Sequence, residues 1–173
     1  MTTTDVAVAV EDDLTLDPGE LRRAIARIPA PVTLVTTCWQ GRPVGFTASS
    51  FVNISTEPPL VGVFVGETTR SYGVFAQVER VAINVLADDQ ATVAGIFAGK
   101  SDDKFTHVTL DPEHPDVPVV TEAMTTLLGQ VVQRPVLGDH LMLVLQVDHV
   151  VRRLHAPLVY QDRKFRTLTD LPG

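Results

Sequence analysis

Three observations predict a mainly β protein with peripheral helices, arranged as an antiparallel barrel. β-Branched and apolar runs of strand length recur from Val32 almost to the C-terminus. Only two or three segments carry helical spacing, and their order is not the βαβα alternation that builds a parallel sheet.

The elements follow in order. Asp17-Pro18-Gly19-Glu20 opens a helix: Asp17 caps, Pro18 suits the first helical position, and Glu20 sits where a capping box wants it. That helix carries Leu21, Ala24, Ile25 and Ile28 on one face and stops at Pro29. Residues 32–39 read as a strand, residues 40–43 as a turn, and residues 44–50 as its hairpin partner. Residues 60–65 form a third strand behind the pair Pro58-Pro59. Residues 68–78 have helical spacing, with Thr68 or Thr69 to cap and Tyr72, Phe75 and Ala76 on one side. A strand over 81–86 precedes a helix over 88–98 that Asp88 can cap. Three prolines make 111–118 a loop, and two long strands of a meander follow at 126–134 and 140–151. A short hairpin, 158–160 with 164–168, finishes the sheet.

Bulk properties narrow the function. The 173 residues form one domain, 17–173, behind a flexible acidic leader over 1–16. A net charge of −7 argues against unspecific binding to nucleic acid or an anionic membrane, since both need a basic face. No run approaches the roughly 18 apolar residues of a membrane span, and the acidic N-terminus is wrong for a secretion signal. Cys38 is the one cysteine, so neither an intrachain disulfide nor a cysteine zinc cluster forms, which fits a cytoplasmic protein. Inside its strand, Cys38 reads as a small buried apolar residue. None of the five histidines has metal-ligand spacing. No GxGxxG follows a strand, and GxxxxGK[ST], HExxH and GxSxG are absent.

The stretch from Gly45 to Val65 carries the strongest chemical signal. Thr47, Ala48, Ser49 and Ser50 lie between Phe46 and Phe51, ahead of the proline pair. Such a run is often a plain solvent-facing strand edge. In this setting it also supplies a backbone shelf, hydroxyl donors and an apolar wall for a flat ligand. Gly138-Asp139-His140 is either an ordinary turn or a turn that aims an imidazole into a site. Arg70 with Ser71 at a helix start suits an anion, and Lys104-Phe105 after Asp102-Asp103 has the same two readings, phosphate ligand or surface charge. Arg163, Lys164 and Arg166 add a small basic cluster in the last hairpin.

Taken in order, several segments resemble the short-chain flavin reductase family, the reductase components of two-component flavin monooxygenases. They are the strand at 32–37, the run from Gly41 to Phe51, Pro58-Pro59-Leu60-Val61, the strand at 81–86, Asp103-Lys104-Phe105, Gly138-Asp139-His140 and Pro157-Leu158-Val159-Tyr160. The resemblance covers the chain from about Leu21 to Leu168. It implies an FMN-binding type of antiparallel split β-barrel, a homodimer, and FMN or FAD in a groove near the subunit interface. It places Thr47, Ala48, Ser49 and Ser50 along the flavin ring and its ribityl chain, Arg70, Ser71, Lys104 and Phe105 toward the phosphate, and Tyr160 among the cofactor-binding residues. His140 lines the nicotinamide side. The implied reaction is hydride transfer from NADH or NADPH to flavin, with reduced flavin passing to a partner monooxygenase. Alternatives are a reductase that keeps FMN and serves iron or a corrinoid, and a flavin-binding protein without turnover. Two positions depart from the family's pattern: Pro31 stands where relatives usually carry glycine, and Gln161 follows Tyr160 where many have histidine.

Overall fold

A computed structural model describes residues 16–171, so the acidic leader read over 1–16 lies outside the described residues except for Leu16. Helix α1 (Pro18–Ala26) starts as its sequence dictates: the Asp17 carboxylate accepts from Gly19 and Glu20 N–H at 2.9 and 3.2 Å. Its far end is tied down from elsewhere. The Asp162 N–H donates to Ala26 C=O and the Gln161 side-chain amide to Arg27 C=O, satisfying carbonyls that helix geometry leaves unpaired. Among the described residues the apolar side of α1 is not a core face, because Leu21 and Ile25, and Ile28 two residues past the helix, are all exposed.

Strand β1 (Ala30–Pro31) is short, and β2 (Thr33–Trp39) turns into β3 (Arg42–Ala48) through two residues, Gln40 and Gly41, both at positive φ. That tight turn matches strand twist, so β3 begins two residues earlier than its composition indicated. Pro43 is tolerated because β3 is an edge strand. Strands β4 (Val52–Thr56) and β5 (Pro59–Gly66) make a second hairpin. The sequence reading missed β4: it is rich in Asn, Ser and Thr, mostly exposed, and pairs only with β5.

The expected helix over 68–78 shrinks to one turn, α2 (Tyr72–Phe75), preceded by turns and lacking a side-chain cap. After β6 (Arg80–Val85), helix α3 (Ala91–Ala98) starts three residues later than expected. Asp88 does not cap it; instead the Gln90 side chain accepts from Ala87 N–H and holds the turn ahead of the helix. Strands β7 (Thr125–Gln133), β8 (Val136–Leu137) and β9 (His140–Arg152) form the meander. The last hairpin, β10 (Val159–Gln161) with β11 (Lys164–Arg166), does not extend the main sheet. It pairs with β1, where Pro31 stands opposite Val159, as a separate three-stranded sheet.

The main sheet is antiparallel in the order β3-β2-β6-β7-β9-β5-β4, with β8 beside β9. Its two edges are neighbours in sequence, so the sheet curls without a closing ladder. Phe46 and Ala48 of β3 share one core with Val63 and Val65 of β5 and with Phe75, Ile83, Leu143 and Leu145. The outer face of β2 is buried too, where Leu34 joins Leu86, Ala94, Phe97 and Leu158 under α3. That double burial explains the unbroken buried run from Thr33 to Thr37. Cys38, one residue beyond, is exposed rather than buried, because the β2–β6 pairing ends at Thr36 and the hairpin runs out into solvent.

Candidate functional site

A cavity of about 490 Å³ opens where β3, the 68–71 turn, the end of α3 and the 99–105 segment meet. The placement of β3 is set by Thr47, whose hydroxyl donates to Ala94 C=O of α3 at 2.7 Å. Gly45 floors the cavity, and a larger residue would crowd it: a Cβ there would lie 3.1 Å from Val35 C=O and 3.2 Å from the Phe105 ring. Val44, Phe46, Val74, Phe97 and Phe105 supply an apolar wall, in which Phe97 and Phe105 pack edge to face at 5.0 Å.

The other wall is cationic. Arg70 donates to Lys100 C=O at 2.9 Å and meets the Asp102 carboxylate at 2.7 Å. The Lys104 ammonium donates to Phe97 C=O at 2.8 Å. Burial pushes its pKa below the ordinary lysine value, and nearby Arg70 pushes the same way while Asp102 opposes. Ser71 completes this wall at the start of α2.

The structure therefore brings together Thr47, Arg70, Ser71, Lys104 and Phe105. The other expected site residues stand elsewhere. Ala48 is buried in the barrel interior, and Ser49 is exposed just past β3. Ser50 uses its hydroxyl on the Phe64 backbone. Tyr160 packs against Phe165 in the small sheet, with ring centroids 5.5 Å apart. His140 begins β9 opposite Gly66, close enough that a Cβ on Gly66 would lie 3.3 Å from its Nε2 and 3.7 Å from Thr69 Oγ1. It thus stands beside the residue that leads into the 68–71 turn and is not among the residues lining the cavity. Its Nδ1 meets Asp139 at 2.6 Å, an interaction that holds the exposed Asp139 carboxyl below the usual range. Gln161 is committed to the α1 terminus.

Sequence reasoning missed Lys100, Ser101 and Asp102 as lining residues. Their signal was a glycine stop, Gly99, followed by a wholly polar run at a helix end, where sites commonly form. Among the described residues no cluster of three His, Cys, Asp or Glu could hold a metal, and no helix is long and apolar enough to cross a membrane.

Comparison with known proteins shows the family. Residues 25–169 match the flavin reductase like domain. The chain is 40% identical over 159 residues to a Streptomyces coelicolor protein named actinorhodin polyketide dimerase, covering 91% of this chain and 90% of that one. It is 37% identical over 145 residues to the reductase component of the flavin-dependent trigonelline monooxygenase of Acinetobacter baylyi, covering 82% of this chain but 46% of that protein. Among solved structures, the NADH:FAD oxidoreductase SgcE6 of Streptomyces globisporus superposes with a TM-score of 0.83 at 27% identity, over 96% of this chain and 97% of that one. The overall split-barrel fold is thus shared with this reductase, and the chain belongs to the flavin reductase like domain family.

Proposed function

We propose that this chain is an NAD(P)H:flavin oxidoreductase that binds FMN or FAD in the cavity over Gly45 and passes reduced flavin to a separate monooxygenase component. The observation that carries this reading is the division of one cavity into an apolar wall and a cationic wall. Its volume of about 490 Å³ lies in the ordinary range for small-ligand sites. The donor set fits a flavin: Arg70, Ser71 and Lys104 suit a phosphate, and Phe97 and Phe105 with the bare backbone of Gly45 suit a flat ring. When bound, flavin and nicotinamide supply the hydride chemistry themselves. This chain's residues hold and orient the ligands: Lys104 and Arg70 neutralise the phosphate, the phenylalanines exclude water, and His140, beside Gly66, meets the nicotinamide. No acid–base residue is required.

The protein acts in the cytoplasm as a homodimer. Support for the dimer comes from the apolar side of α1, where Leu21 and Ile25, with Ile28 just past the helix, are left uncovered among the described residues. Light scattering should give twice the chain mass, and Ile25→Glu with Ile28→Glu should halve it.

The activity test is direct. Purified protein mixed with FMN or FAD should consume NADH or NADPH at a rate that depends on added flavin. If neither flavin supports nicotinamide oxidation, this reading fails.

A further inference from the structure

The clasp across the cavity has no counterpart in a plain binding site. Arg70 leaves the turn after Gly66, Asp102 leaves the segment after α3, and their side chains meet at 2.7 Å between Nη1 and Oδ1. The same nitrogen also donates to Lys100 C=O, so one guanidinium joins both lips of the cavity. Both side chains are mostly exposed, 66% and 78%, and exposed ion pairs of this kind are weak and readily exchanged. Lys104, deeper in the wall, donates only to a carbonyl and has no carboxylate partner among the described residues. Asp103, the next acid along the chain, forms no ion pair among the described residues.

We propose that Asp102 is a built-in competitor for the flavin phosphate, holding Arg70 while the site awaits ligand and yielding it when phosphate enters. This rests on the cavity being the flavin site. A guanidinium fork pairs bidentately with phosphate, whose second negative charge outbids a carboxylate. The displaced Asp102 stays on the cavity wall and repels the anion that replaced it. Lys104 anchors the phosphate throughout, and Asp102 weakens the hold. For an enzyme that must give its reduced flavin away, a carboxylate that reclaims Arg70 speeds release without a change of fold.

Equilibrium quenching of flavin fluorescence, with FMN and with riboflavin, tests this on wild type, Asp102→Asn and Asp103→Asn. Removing one local negative charge should tighten FMN about three- to tenfold and slow its release in proportion, while riboflavin, lacking phosphate, moves less than about twofold. Asp103→Asn, with the same change in net charge, should shift FMN by less than about twofold. Unchanged or weaker FMN binding by Asp102→Asn overturns the proposal. So does equal tightening of riboflavin, or equal tightening by Asp103→Asn. A wild type that binds neither flavin removes the flavin reading and this proposal together. A wild type that binds FMN with Asp102→Asn indistinguishable from it removes the clasp alone.

Discussion

The hydroxyl of Ser50 pairs with both backbone groups of Phe64, continuing the register of the β4–β5 hairpin past Val52: it accepts from the N–H at 3.0 Å and donates to the C=O at 3.4 Å. The edges of the main sheet, β3 and β4, have no ladder between them. The Ser50 side chain ties the link between those edges to β5. Ser50 is therefore a residue of the scaffold at the end of the strand that floors the cavity.

Ser50→Ala should destabilise the fold by about 1–2 kcal/mol, since two partly buried backbone groups lose their partner. In a chain of this size that corresponds to a fall in Tm of roughly 2–8 °C. Ser49→Ala, at an exposed position, should change stability little. Thermal unfolding of the two variants side by side distinguishes them. Equal effects would mean that the Phe64 bridge contributes nothing.

Asn84 is the most connected buried polar side chain. Its amide donates to Leu34 C=O and Thr36 Oγ1, and its carbonyl oxygen accepts from Val120 N–H and Thr126 Oγ1. Thr36 in turn donates to Pro118 C=O at 2.6 Å, so the 117–120 segment is pinned to β2 and β6 from two sides. Asn84→Leu should cost about 2–4 kcal/mol, because several buried groups lose partners at once. Hydrogen exchange should show the Val120 amide losing protection first. Retained protection at Val120 would contradict this role.

How much of this was legible depended on the range of the interaction. The Asp17 cap and the Gln40-Gly41 turn are local, and their residues announce them. Segments 81–86 and 140–151 carry enough apolar residues to be read within a residue or so of β6 and β9. β4 was invisible because its pairing with β5 compensates for weak, exposed strand residues. The small second sheet was unreadable because Pro31 and Val159 are distant in sequence. In the site, Thr47, Arg70, Ser71, Lys104 and Phe105 line one cavity, and the sequence had marked each of them out. Asp102 did not stand out, since its meaning depends on where Arg70 reaches.

The depressed Lys104 pKa gives a pH dependence with a definite sign. The folded protein holds this proton less tightly than the unfolded chain, so a charged Lys104 costs stability at low pH and the cost fades as pH rises through the folded pKa. The same deprotonation removes a cation from the phosphate end of the cavity. FMN affinity relative to riboflavin should therefore fall in the alkaline range before pH reaches the ordinary lysine value of 10.5. Lys104→Arg should move that fall to higher pH, as a guanidinium does not deprotonate. A ratio flat through this range would exclude Lys104 from phosphate binding.

His140 offers a separation of the two ligands. Its ring lies beside Gly66, the residue opposite it in β5, with Nδ1 engaged by Asp139 and Phe64 edge to face at 6.4 Å. It does not line the flavin cavity, so its loss should leave the flavin Kd nearly unchanged. If its Nε2 meets the incoming nicotinamide, His140→Ala should raise the KM for NADH or NADPH about fivefold, the worth of one ordinary hydrogen bond. Asp139→Asn should produce a smaller rise, because the ring remains but its orientation loosens. Steady-state kinetics with a parallel flavin titration measures both ligands. If His140→Ala weakens flavin binding as much as it raises the nicotinamide KM, the histidine acts through the Thr69–Arg70 turn and not on the nicotinamide.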